Sequence, residues 1–145
     1  MAMAERRATT DWDGDLAHGQ GIVKLDSGAV DSLPVTWASR TERSDGKTSP
    51  EELIAAAHAS CFSMALAHGL SQAGHAPEHL SVSAQVTLDQ RDGAPTVTSS
   101  QLTVAGRVPG IDQSSFEQAA AEAGRNCPVS RALTGVEITV NATLE

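Results

Sequence analysis

Cys61 and Cys127 are the only thiols in the chain. A thiolate is a strong nucleophile, and two thiols that meet can cycle through a disulfide. Cys61 falls inside a helical, apolar stretch, where a free cysteine ordinarily serves as a small core residue. Cys127 directly precedes Pro128 at a helix break. There its sulfur can lie beside unpaired backbone N–H groups, although an incidental cap residue fits the same position. Two cysteines this far apart are too few for a secreted disulfide scaffold, and they lack the close pairing of a zinc knuckle or a thioredoxin motif.

A thiolate among apolar residues needs a cation, because burial alone raises the thiol pKa. Arg40 and Arg43, in the loop before the helix, are the nearby sources. A carboxylate gripping the far edge of the guanidinium would fix it in place, and Glu51 suits that task. Glu51 and Cys61 are ten residues apart on one helix, or ~15 Å along its axis, so they do not touch. Either a long arginine spans part of that gap, or the two positions face each other across a subunit interface. Alternatively, Glu51 is a first-turn carboxylate favoured by the helix N-terminus, worth roughly a few tenths of a kcal/mol. His58 and His68 flank Cys61, which suggests a metal site or a Cys–His nucleophile pair. No further ligand has convincing spacing, and a packed, hydrogen-bonded imidazole is the ordinary outcome.

The elements that must carry these residues are legible from periodicity. Two segments between Thr10 and Leu25 flank Asp13–Gly14–Asp15 and the Gly19/Gly21 region as a hairpin, and Val30 to Trp37 adds a third extended piece. Pro34 puts that piece near an edge. Arg40 to Ser49 is polar and reads as a loop. Ser49, Pro50 and Glu52 form a capping signature that starts a helix at Pro50. Leu53, Ile54, Ala57, Cys61, Met64 and Ala65 recur at helical spacing, and the pattern fades by Gly74. Alanine at that density lets another backbone pack close, in the middle of the fold or against a partner subunit.

Leu80, Val82, Ala84, Val86 and Leu88 alternate with polar residues. Leu102, Val104 and Val108 continue that period beyond a turn at Asp92–Gly93. Asp112 caps a second helix reaching about Asn126, with Phe116, Ala119, Ala120 and Ala123 on one face, and Pro128 ends it or opens a new turn. Val136, Ile138, Val140, Ala142 and Leu144 form a last strand. The order implies an α+β domain with helices on a largely antiparallel sheet.

The chain of 145 residues reads as a single domain, 1–145, long enough to bury a core. Eighteen acidic against ten basic residues give a net charge of -8, which disfavours nucleic acid. An aromatic fraction of 3%, with no Tyr, leaves little for stacking bases or sugars. Polar interruptions argue against a bilayer span. Arg6 and Arg7 lack an apolar stretch behind them, unlike a secretory signal, so the cytoplasm is the expected location.

Residues 48–66, TSPEELIAAAHASCFSMAL, and 127–133, CPVSRAL, resemble the two cysteine motifs of the OsmC (osmotically inducible protein C) branch of the OsmC/Ohr hydroperoxide reductases. Weaker similarity covers nearly the whole chain, including Trp12–Asp13–Gly14 and the Ser39–Arg40 approach to the helix. An arginine just before the helix, rather than far back in the N-terminal strands, is what favours OsmC over Ohr. The resemblance implies that Cys61 is the peroxidatic thiol and Cys127 the resolving one, with Arg40 and Glu51 activating Cys61. Arg40, which follows Ser39, is the better match, and Arg43 is its rival.

The resemblance further implies an intertwined homodimer with active sites at the subunit interface, which would reconcile Glu51 with Cys61. It implies organic hydroperoxide substrates, with hydrogen peroxide a smaller candidate, a Cys61–Cys127 disulfide and an external dithiol reductant. It calls for no cofactor or metal. Two competing functions are a non-catalytic dimeric stress protein that binds a hydrophobic ligand and a Cys61–His58 hydrolase.

Overall fold

A computed structural model describes all 145 residues, which pack as two compact units, Met1–Pro50 and Glu51–Glu145. In the first unit, β1 (Ala8–Asp13), β2 (Gln20–Leu25) and β3 (Leu33–Val35) form an antiparallel sheet in the order β1-β2-β3. Pro34 therefore lies on an edge strand, as its missing N–H requires, and its carbonyl accepts from the Thr48 N–H at 2.9 Å. The third extended piece is shorter than its apolar pattern suggests. Thr36 and Ser39 form a reciprocal capping box that turns the chain into a short helix, α1 (Trp37–Thr41). Trp37 and Arg40 are thus helical, which corrects the reading of Trp37 as extended and of Arg40 as loop. The Ser39 hydroxyl also donates to the Thr48 carbonyl at 2.8 Å, tying α1 to the end of the loop.

The second unit opens with α2 (Pro50–Gln72), beginning at the proline that the capping signal predicts. The hairpin β4 (His79–Arg91) and β5 (Ala94–Arg107) turns at Asp92–Gly93, with φ of 52° and 79°. Two left-handed residues between antiparallel strands make the tight turn whose twist matches the strands. Next come α3 (Gln113–Asn126), capped by the Asp112 carboxylate accepting from the Ser115 N–H at 2.8 Å, and α4 (Pro128–Ala132). The last strand, β6 (Glu137–Leu144), pairs with β5 in parallel. The expected single sheet is thus two three-stranded sheets, and the second is mixed because the chain between β5 and β6 crosses over through α3 and α4.

The core of this unit unites Phe62, Leu66 and Leu70 of α2 with Leu102 and Val104 of β5 and Phe116, Ala120 and Ala123 of α3. On α2 the buried line runs through His58, Phe62, Leu66 and Leu70, not through the stripe read from the sequence. That stripe includes the exposed Ala57 and Met64, the latter 71% accessible. Apolar residues are spread around the helix with no dominant face, so hydrophobic periodicity does not say which face enters the core. Contrary to the sequence reading, α2 is long and apolar enough by length and composition to cross a membrane. Its buried line, however, packs into the core it shares with β5 and α3.

Gly106 of β5 lies beneath the buried Phe116 ring. A Cβ there would stand 2.6 Å from Phe116 Cζ and 3.0 Å from Leu80 Cδ2. Gly106→Ala is therefore expected to cost roughly 1–3 kcal/mol in urea unfolding. A loss below about 0.5 kcal/mol would mean that α3 can lift off the sheet without penalty.

Candidate active site

Cys127 ends α3 and starts α4: it is the C-cap of one helix and the N-cap of the next. Pro128 at the first position of α4 stops α3 and needs no hydrogen-bond partner for its nitrogen. The first free N–H groups of α4 belong to Val129 and Ser130, and each meets a sulfur. Ser130 N–H donates to Cys127 Sγ at 3.3 Å, and Val129 N–H lies near enough to the Cys61 sulfur to favour its anion. The thiols of Cys61 and Cys127 are also within hydrogen-bonding reach of each other. The helix break thus gathers the only two thiols of the chain onto one turn of backbone.

Cys127 is fully buried, whereas Cys61 retains partial access. Burial pushes the Cys61 thiol up from its ordinary value. The Val129 N–H works in the opposite direction, and the neighbouring Cys127 raises it further. The immediate surroundings in this unit therefore favour the neutral thiol.

His58 lies one turn before Cys61 on α2 and is completely buried. Its Nδ1 meets Ser100 Oγ of β5 at 2.7 Å, and its Nε2 meets Ser130 Oγ of α4 at 2.8 Å. With both nitrogens engaged by hydroxyls, the imidazole is not a base for Cys61, which removes the support for a Cys–His hydrolase. Ser100 and Ser130 escaped the sequence reading because they approach His58 from 42 and 72 residues away. The one local hint was Ser130, three residues after Cys127 in an N-cap relationship.

Arg40 is half-buried on α1, its guanidinium carbon 5.8 Å from the centroid of the Trp37 ring, a cation–π distance. Arg43 is exposed and pairs with Asp45 at 3.3 Å, an arrangement that contributes little in solvent. Glu51 is buried in the first turn of α2, a position unusual for a carboxylate that serves only to favour a helix start. The structure thus unites Cys61 with Cys127, while Arg40 lies on an element of the first unit.

The model of the OsmC-like protein family matches residues 43–141, the span from just after α1 into β6. The chain belongs to the OsmC-like family. It is 40% identical over 140 residues to Peroxiredoxin OsmC of Escherichia coli (strain K12), covering 97% of this chain and 96% of that protein. The Peroxiredoxin OsmC of Shigella flexneri matches to the same extent. Two solved structures share the fold. The organic hydroperoxide resistance protein OsmC of Legionella pneumophila has a TM-score of 0.73 at 23% identity, covering 99% of both chains. The organic hydroperoxide resistance protein OhrB of Bacillus subtilis has a TM-score of 0.74 at 24% identity, covering 99% of this chain and 100% of its own.

Burial lowers the pKa of His58 from its ordinary 6.5. The folded protein therefore holds this imidazole neutral where the unfolded chain would protonate it. Its contribution to stability is complete above about pH 6.5 and is lost as pH falls below that value. Urea midpoints measured between about pH 7 and pH 5 should fall more steeply in the wild type than in His58→Gln, which has no imidazole to protonate. Parallel slopes would show that His58 does not titrate with unfolding.

Proposed function

We propose that the protein is a two-cysteine thiol peroxidase that reduces organic hydroperoxides, and hydrogen peroxide as a smaller substrate, in the cytoplasm. The observation that carries this reading is the meeting of Cys61 and Cys127 at the first turn of α4, each sulfur facing one backbone N–H. A hydrophobic-ligand binding protein needs no such arrangement. Membership of the OsmC-like family and a relative named a peroxiredoxin support the same chemistry.

Cys61, the more accessible thiol, attacks one oxygen of the peroxide as a thiolate. The O–O bond breaks, an alkoxide leaves and takes up a proton, and Cys61 becomes a sulfenic acid. Cys127 then attacks the oxidised sulfur, closing a Cys61–Cys127 disulfide and releasing water. An external dithiol reopens the disulfide by exchange. Arg40 supplies the positive charge that Cys61 lacks in its own surroundings, and Glu51 holds the guanidinium in place. The half-buried position of Arg40 favours it over the exposed, ion-paired Arg43.

The working form is a homodimer, and the all 145 residues act as one OsmC-like domain within it. The support is α2, whose second apolar face carries Ala57 and the 71% exposed Met64. An exposed large apolar side chain beside small alanines on a helix is a surface that a second copy can cover.

Titration with one equivalent of cumene hydroperoxide is the direct test. The wild type should lose both thiols as an intrachain disulfide, whereas a ligand-binding protein would lose none. Cys61→Ser should abolish peroxide consumption. Cys127→Ser should react once, stop at the sulfenic acid and over-oxidise. Equal loss of the single-turnover reaction in both variants would contradict these roles.

A further inference from the structure

Cys127, Ser130, His58 and Ser100 form one continuous hydrogen-bonded chain, with side chains 0%, 7%, 0% and 1% exposed. Cys127 Sγ lies 3.1 Å from Ser130 Oγ, which lies 2.8 Å from His58 Nε2, and His58 Nδ1 lies 2.7 Å from Ser100 Oγ. We propose that Ser130 and His58 are a proton relay for disulfide closure, drawing the thiol proton from Cys127 as its sulfur attacks oxidised Cys61. This rests on the two-cysteine reading above and assigns the work of its second step.

The geometry satisfies both proton positions. Before transfer, the Cys127 S–H donates to Ser130 Oγ, the Ser130 O–H donates to His58 Nε2, and His58 Nδ1–H donates to Ser100 Oγ. After transfer, His58 Nε2–H donates to Ser130 Oγ, and the Ser130 O–H donates to the Cys127 sulfur anion. The Ser130 backbone N–H already points at that anion. No heavy atom needs to move, because each hydroxyl both donates and accepts. Burial keeps the imidazole neutral, which leaves the Nε2 lone pair free to receive the proton.

A helix cap alone does not account for the arrangement. The backbone N–H of Ser130 caps onto Cys127 without using its hydroxyl, and burying an imidazole costs free energy that an apolar side chain would avoid. The titratable groups near His58 are Cys127, reached through Ser130, and Cys61, one turn away on α2. Glu51, the buried carboxylate of α2, lies seven residues earlier, about 10 Å along the axis.

The step balances. The S–S bond forms as the S–O bond of the sulfenic acid breaks, Cys127 is oxidised, and the Cys61 sulfur is reduced. The departing hydroxide takes up one proton and leaves as water, matching the proton given up by Cys127.

The relay is tested by reacting the full-length protein with 5,5′-dithiobis(2-nitrobenzoate). Cys61 displaces one thionitrobenzoate, and Cys127 then displaces the second as the disulfide closes. In Ser130→Ala and in His58→Gln, the ratio of second-phase to first-phase rate should fall roughly tenfold or more at about pH 7. The deficit should vanish as the pH is raised to about 10, where hydroxide takes over as the base and the relay is no longer needed. A merely structural role would leave the deficit at both pH values, and that result, or no deficit at all, would overturn the relay. If one variant does not fold, the other carries the test. The same proteins treated with cumene hydroperoxide separate the two levels of the proposal. A wild type inert to peroxide, with the pH-dependent deficit intact, would remove the peroxidase reading and support the relay in disulfide closure.

Discussion

Burying a thiol makes its anion unfavourable, and peroxide reduction requires that anion. Cys61 stands under this constraint: desolvation raises its pKa, the Cys127 thiol raises it further, and the Val129 N–H alone among these influences lowers it. A site with these surroundings needs positive charge from elsewhere to react. In the function proposed above, the half-buried Arg40 of α1 is the source of that charge and the buried Glu51 of α2 is its anchor.

The break between α3 and α4 is the structural device that makes a thiol pair possible. Pro128 ends one helix and begins another, which turns Cys127 inward and leaves the next two N–H groups for the two sulfurs. The core formed by Phe62, Leu102 and Phe116 fixes α2 and α3 against β5, and Cys61 and Cys127 both pack on it. His58, packed one turn from Cys61, ties α2 to β5 through Ser100 and to α4 through Ser130. It links the helix of the first thiol to the capping turn of the second.

The parts of this arrangement that depend on local signals are legible in the sequence. Ser49–Pro50–Glu52 marks the start of α2, Asp92–Gly93 the hairpin turn, Asp112 the start of α3 and Pro128 its end, because caps and tight turns are settled within a few residues. The Thr36–Ser39 box is masked because Val35 and Trp37, on either side of Thr36, continue the pattern of an extended segment. What depends on distant pairing was hidden: the parallel union of β5 with β6, the division into two sheets and the serines that reach His58. The buried face of α2 is hidden for a different reason, since apolar residues spread around the helix offer no contrast from which to read a direction. The two motifs around Cys61 and Cys127 pointed to the family because they are short, contiguous and specific.

Positive charge at Cys61 is tested most directly by the pH dependence of Cys61 alkylation in a Cys127→Ser background. With Arg40 intact, Cys61 should react at neutral pH as a thiolate. In Arg40→Ala the alkylation rate at about pH 7 should fall roughly tenfold or more, with the half-maximal pH moved upward. Arg43→Ala should behave as the parent. An unchanged profile in Arg40→Ala would contradict the account, and a changed one in Arg43→Ala alone would transfer the role to the other arginine.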